Sequence, residues 1–210
     1  PNNFSVTAGA GNDSLVDSPT SYGTDTGVGG TVRGNYSTMN PLDTGALNST
    51  LSDGNLKVVT EIGNFRYMGN TIWTSAGKFY AEFKITADSG YAQVGIAVRA
   101  TTTNKILGQD SDSWSYNGWN GSSGNNNSFT AYGSAFGTGD KIGIAVDRET
   151  NKLYFSKNGV WQNSGAPAAG TGSLNISGIS GIPAMIAVCD NDNAGSCTFE
   201  VNFGQRPFAY

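Results

Sequence analysis

Histidine is absent from this chain of 210 residues, glutamate occurs only at positions 61, 82, 149 and 200, and charged residues of both signs make up 13%. The first absence excludes Ser-His-Asp and Cys-His catalysis, and every zinc site that needs an imidazole. The second leaves little from which to build the paired carboxylates, about 5–10 Å apart, of a glycosidase. Only Glu149 has an acidic partner at strand spacing, Asp147, and that pair also reads as solvated turn residues. The shortage of charge argues against a helix-rich protein, whose exposed faces need Lys and Glu. With a net charge of −4 and no basic run, nucleic acid is not expected as a partner. No stretch approaches the roughly 20 apolar residues of a membrane span, and no leader pattern is visible. A first residue of Pro1 rather than Met suggests a piece of a longer chain or assembly. Two cysteines, Cys189 and Cys197, are too few for a structural zinc site; a disulfide across the last hairpin and two small part-buried thiols both stay open.

What is present is turn chemistry between short alternating runs. Glycine occurs 30 times, among many Asn, Asp, Ser and Thr. Ile142, Ile144 and Val146 alternate with Lys141, Gly143, Ala145 and Asp147, the two-residue period of a half-buried strand. Leu153 and Phe155 continue the pattern after a polar turn at 148–151. Asn158-Gly159 then predicts a two-residue hairpin of type I′, which needs positive φ at both positions. By the same alternation Phe79, Ala81, Phe83 and Ile85 should face inward, with Tyr80, Glu82 and Lys84 outward. Val94, Ile96 and Val98, then Ile186 and Val188, then Phe199, Val201 and Phe203 complete the expected core. Fully burying such side chains contributes about 1.5–3 kcal/mol each.

"GDKIGIAVDRETNKLYFSKNGVWQ" (139–162) resembles the signature of the SPRY domain, a bent β-sandwich adaptor module. "GKFYAEFKI" (77–85), "AQVGIAV" (92–98), "SWSYNGWNG" (113–121) and "VNFGQRPFAY" (201–210) are similar to further segments of that family, in the family's order. The resemblance implies an all-β fold, an antiparallel β-sandwich of the concanavalin-like jelly-roll kind, that binds rather than catalyses. Ligands are then expected at loops at one end. The segment from Tyr36 to Trp73 resembles the lead-in found before such cores in bacteriophage virion proteins. Residues 1–210 are therefore expected as one sandwich, with 1–74 as lead-in strands and loops and 75–210 as the core.

Three groups could carry chemistry. Asp147 with Glu149 is the acidic pair already named. Asp190-x-Asp192-x-Ala194-Gly195 imitates the opening of a calcium loop, but Ala194 replaces a ligand and Val201 stands where a bidentate Glu belongs; Asp110 and Asp112 form a second acidic pair. No metal or cofactor is expected from these. The third group is aromatic and amide-rich. The stretch between the strands at 92–98 and 141–147 reads as a long loop carrying Tyr116, Trp119, Asn120, Asn125, Asn126 and Asn127. Tyr67 and Tyr91 lie in neighbouring turns. Flat apolar faces beside side-chain amides suit a sugar or a peptide, whereas Trp114 in the same stretch is expected to pack in the core.

The expected function is thus a non-catalytic binding module, a virion surface component outside the cell that meets a host receptor, a glycan or another virion protein. Two alternatives stand beside it: a carbohydrate-active enzyme on the same scaffold, and an intracellular SPRY adaptor that binds peptides.

Overall fold

The structure, a computed structural model, describes residues 36–42, 49–60, 67–98, 105–191 and 195–210. Fourteen strands follow one another: β1 (Thr50–Ser52), β2 (Lys57–Val59), β3 (Met68–Gly69), β4 (Lys78–Ala87), β5 (Ala92–Ala97), β6 (Ser113–Asn117), β7 (Ser122–Asn125), β8 (Ser128–Ala131), β9 (Lys141–Asp147), β10 (Lys152–Lys157), β11 (Val160–Trp161), β12 (Leu174–Asn175), β13 (Met185–Asp190) and β14 (Thr198–Asn202). The only helical element among the described residues is a 3-10 turn at Ser177–Ile179.

The strands form two antiparallel sheets. The larger runs β1-β2-β14-β4-β9-β10-β11, with β12 also paired to β10; the smaller runs β3-β13-β5-β6-β7-β8. Alternation decides which side chains meet between them. Ala81, Phe83 and Ile85 of β4, Ile142, Ile144 and Val146 of β9, and Leu153 and Phe155 of β10 face Val94 and Ile96 of β5, Trp114 and Tyr116 of β6, and Ile186 and Val188 of β13. Asn158 and Gly159 take φ of 49° and 81° between the paired residues Lys157 and Val160, the two left-handed positions that a type I′ turn requires. From the lead-in, β1 and β2 join the larger sheet through β14.

Three expectations need correction. The stretch 113–131 is not a loop: it forms β6, β7 and β8, and every residue of β6 is buried. Ser113, Ser115 and Asn117 occupy the outer face of β6, where Asn117 accepts from Gln93 at 2.6 Å and donates to Ser122 at 2.8 Å; loop residues around Gly108 close over Ser115. Phe79 is the second correction. It shares the inward face of Ala81 and Phe83 but is 38% exposed, because a cavity opens beside it. Glu82 is the third. It lies on the outer face of β4 as alternation requires, yet only 6% of it is exposed, because the segment ending in Phe208, Ala209 and Tyr210 crosses that face.

Both cysteines are free and buried. Cys197 belongs to the inter-sheet core, whereas Cys189 faces a smaller cluster with Tyr67, Ile106, Leu107 and Met185 on the outside of the smaller sheet. Cys189 and Cys197 therefore sit in separate packing environments and do not staple the last hairpin.

Candidate functional site

Two turns at one end of the sandwich bring Tyr91 and Trp119 together. The β4–β5 turn is organised by Asp88, whose Oδ1 accepts the backbone N–H groups of Gly90 at 2.8 Å and of Tyr91 and Ala92 at 3.1 Å. The β6–β7 turn is fixed at both ends: Gly118 donates to the Ala92 carbonyl at 2.7 Å and Gly121 to the Asn117 carbonyl at 2.9 Å. Gly121 has φ of 72°, and a Cβ there would collide with the backbone of Gly133 and Ser134. Glycine is required at that close approach. The rings of Tyr91 and Trp119 meet edge to face, with centroids 5.4 Å apart and planes at 89°. They are 39% and 41% exposed. A preorganised, half-exposed aromatic pair on rigid turns offers a flat apolar face with polar rims, suited to stacking and to peptide contact.

Asn120 is exposed beside this pair, and its Oδ1 accepts the Ser122 N–H at 2.9 Å. The other candidates go elsewhere. Tyr116 is fully buried, packed against Tyr132, Phe136 and Phe155, and its hydroxyl donates to the Ser134 carbonyl. It is a core residue, and burial raises its pKa above the ordinary tyrosine value. Tyr67 is 1% exposed in the cluster outside the smaller sheet and cannot meet a ligand either. Asn125, Asn126 and Asn127 lie at the far end of β7 from Trp119, about 13 Å along a four-residue strand. Asn126 and Asn127 supply the φ values of 50° and 57° that turn the chain into β8. Asn125 Nδ2 donates to the carbonyls of Ser111 at 3.1 Å and Ser113 at 2.8 Å. These amides build a hairpin tip rather than extend the Tyr91–Trp119 surface.

The acidic groups are likewise engaged in the fold. Asp147 Oδ1 accepts the N–H groups of Glu149 and Thr150 at 2.9 Å, and Oδ2 lies 3.3 Å from Lys78 Nζ. Asp190 is buried and accepts from Thr60 and Ser89, while Asp192 falls outside the described residues. Asp110 pairs with Lys105. Among the described residues no three His, Cys, Asp or Glu side chains cluster as metal ligands.

Two features lie outside the sequence-derived candidates. Tyr80, Ser156, Trp161 and Tyr210 line a groove on the outer face of the larger sheet; the alternation of Tyr80, Tyr154 and Ser156 on outward positions was the signal for it. The second is the burial of Arg148, which is 4% exposed. Its position in a charged turn gives no sign of that.

The sequence model of the SPRY domain family matches residues 78–172. A probable ATP-dependent RNA helicase ddx1 of Dictyostelium discoideum is 30% identical over 138 residues, 65% of this chain and 16% of that protein. Ran-binding protein 9 of Xenopus laevis is 29% identical over 175 residues, 76% of this chain and 29% of that protein. The chain thus spans less than a third of the length of these relatives. Among solved structures, the SPRY domain of human HERC1 superposes with a TM-score of 0.61 at 18% identity, covering 75% of this chain and 93% of that one. That likeness is one of fold. Family match, strand order and architecture agree: residues 78–172 match the SPRY domain family, and the described residues fold as an antiparallel β-sandwich like that of a solved SPRY domain.

Proposed function

We propose that this domain is a non-catalytic adaptor that holds a peptide segment of a protein partner against the Tyr91–Trp119 platform. The observation that carries this reading is the exposed edge-to-face pair, fixed by Asp88 and by the Gly118–Gly121 turn. Neither ring is needed to fill the core, and aromatic anchors on rigid turns carry a disproportionate share of binding energy in protein recognition. The similarity to Ran-binding protein 9 supports a protein as the ligand. It favours the adaptor over a virion surface component outside the cell, which rests on composition and the lead-in resemblance.

The test begins with peptides selected from a random library on the wild-type domain. Trp119→Ala is expected to weaken the selected peptides at least tenfold, about 1.4 kcal/mol, while its melting temperature stays within a few degrees of wild type. Trp114→Ala, at a core position, is expected to cost about 3–5 kcal/mol of stability instead. Selected peptides that bind Trp119→Ala and Tyr91→Ala as tightly as wild type would place recognition on another surface.

A further inference from the structure

A cavity of about 210 Å³ opens between the sheets, away from the Tyr91–Trp119 end. Ile72, Phe79, Ile96, Val146, Ile186 and Phe203 give it an apolar lining. Phe79 shows its solvent connection: it points into the sandwich with Ala81 and Phe83, yet 38% of it is exposed, and Ile72 on the rim is 39% exposed. Among the lining residues the one charged group is Arg148; no Asp or Glu contributes.

Arg148 Nη2 donates to the carbonyls of Ile179 and Ile182, both at 2.7 Å, and so pins the turn after β12. Its Nε and Nη1 are buried without a hydrogen-bond partner, and no carboxylate pairs with it among the described residues. A buried cation without a counter-charge is costly, and buried guanidinium groups are ordinarily paired. The interior here therefore combines a mostly apolar wall, which also includes Ser37, Asn70 and Thr74, with a positive charge that no carboxylate compensates.

We propose that this cavity is a binding site for a small monocarboxylic acid with an apolar body. The body lies against Phe79, Ile72 and Ile186, and the carboxylate compensates the charge of Arg148. Size fits the class: a cavity of about 150 Å³ accommodates benzene, so the larger space here has room for one ring and its carboxyl group. A neutral compound of the same shape gains the apolar contacts and loses the electrostatic ones.

Phenylacetate and phenylacetamide form the matched pair of probes. In nuclear magnetic resonance titrations of the whole domain, phenylacetate is expected to move the methyl signals of Ile72 and Ile186 and the Arg148 Nε–H signal. It should bind at least roughly tenfold more tightly than the amide. Arg148→Met should abolish the preference. Ala184→Phe, which projects a ring from the lining, should abolish binding of both compounds. If either variant fails to fold, the wild-type titration alone decides. Equal affinity for acid and amide, shifts confined to other residues, or no binding at millimolar phenylacetate would each overturn the proposal.

Discussion

The carboxylate of Glu82 accepts the backbone N–H of Ala209 at 2.8 and 3.0 Å through its two oxygens, and one oxygen also takes the N–H of Tyr210 at 3.1 Å. Phe208 completes the clasp by meeting the ring of Tyr80 edge to face, with centroids 4.8 Å apart, while Tyr80 donates its hydroxyl to Glu82 at 3.2 Å. One side chain in the middle of the larger sheet thereby anchors residues more than a hundred positions later. It reads their backbone, so the clasp depends on an acceptor at Glu82 rather than on side-chain identity at 209 and 210.

Glu82→Gln keeps the shape and replaces one acceptor oxygen by a donor facing N–H groups. Hydrogen bonds to a charged group are worth about 1.5–3 kcal/mol, and the variant is expected to lose stability of that order. Urea unfolding monitored by fluorescence checks this, with an unchanged denaturant slope as the sign that the folded state is otherwise intact. A variant as stable as wild type would mean that residues 207–210 do not dock on β4 in solution.

Asp140 gives the fold a defined weakness to acid. Burial works to raise its pKa, but the Gly137 N–H at 3.0 Å, Asn158 Nδ2 at 2.7 Å and Lys157 at 3.1 Å outweigh that and hold it below the ordinary value. A carboxyl depressed in the folded state contributes stability that is present above its unfolded pKa, near 4, and lost as pH falls through the folded value. Wild type and Asp140→Asn should differ in melting temperature by a constant amount above about pH 5, and the gap should close below about pH 4. Asp147 is depressed too, so wild type itself should weaken over the same range. A gap that persists unchanged into strong acid would contradict the assignment.

The two thiols should be inert in the folded protein. Burial pushes Cys189 up to about 12 and raises Cys197 further. A thiol with a raised folded value contributes stability fully below its unfolded pKa, near 8.5, and loses it as pH rises towards the folded one. Native protein at pH 8 is expected to react with a chromogenic disulfide reagent far more slowly than protein unfolded in urea, which should release two equivalents for its two cysteines. Rapid stoichiometric labelling without urea would show that one of the thiols is accessible.

Where branched apolar side chains alternate with small or polar ones, the sequence carried the fold in plain form. Ile142, Ile144 and Val146, or Val94 and Ile96, announce their strands because the opposite positions are small or polar. β6 was harder. Ser113-Trp114-Ser115-Tyr116-Asn117 alternates as a strand should, but both of its faces are covered, so the Ser and Asn that line the outer one resemble loop composition. Among the candidate residues, Trp119 and Tyr91 were legible as aromatics without a periodic partner. Tyr116 and Tyr67 failed for a general reason: local composition does not reveal which faces later segments will cover. The Arg148 burial is a tertiary effect of the same kind, created by the turn at 177–182 rather than by anything near position 148.

The placement of β14 bears on how the chain acquires this structure. Thr198–Asn202 is inserted between β2 and β4, with Thr198 opposite Val59 and Val201 opposite Phe83, so the middle of the larger sheet waits for a segment more than a hundred residues beyond β4. Until that segment arrives, β4 has only β9 as a neighbour, and the hairpin of β1 and β2 has nothing to dock on. Pairings of such long sequence separation pay their loop-closure entropy before any contact rewards it, which slows folding. During synthesis, the β9–β10 hairpin and the β5–β6 pair can form early, while β2 and β4 keep unpaired edges until residues 198–202 leave the ribosome. A nascent chain arrested short of that point presents two open strand edges, the geometry that invites pairing with a second chain.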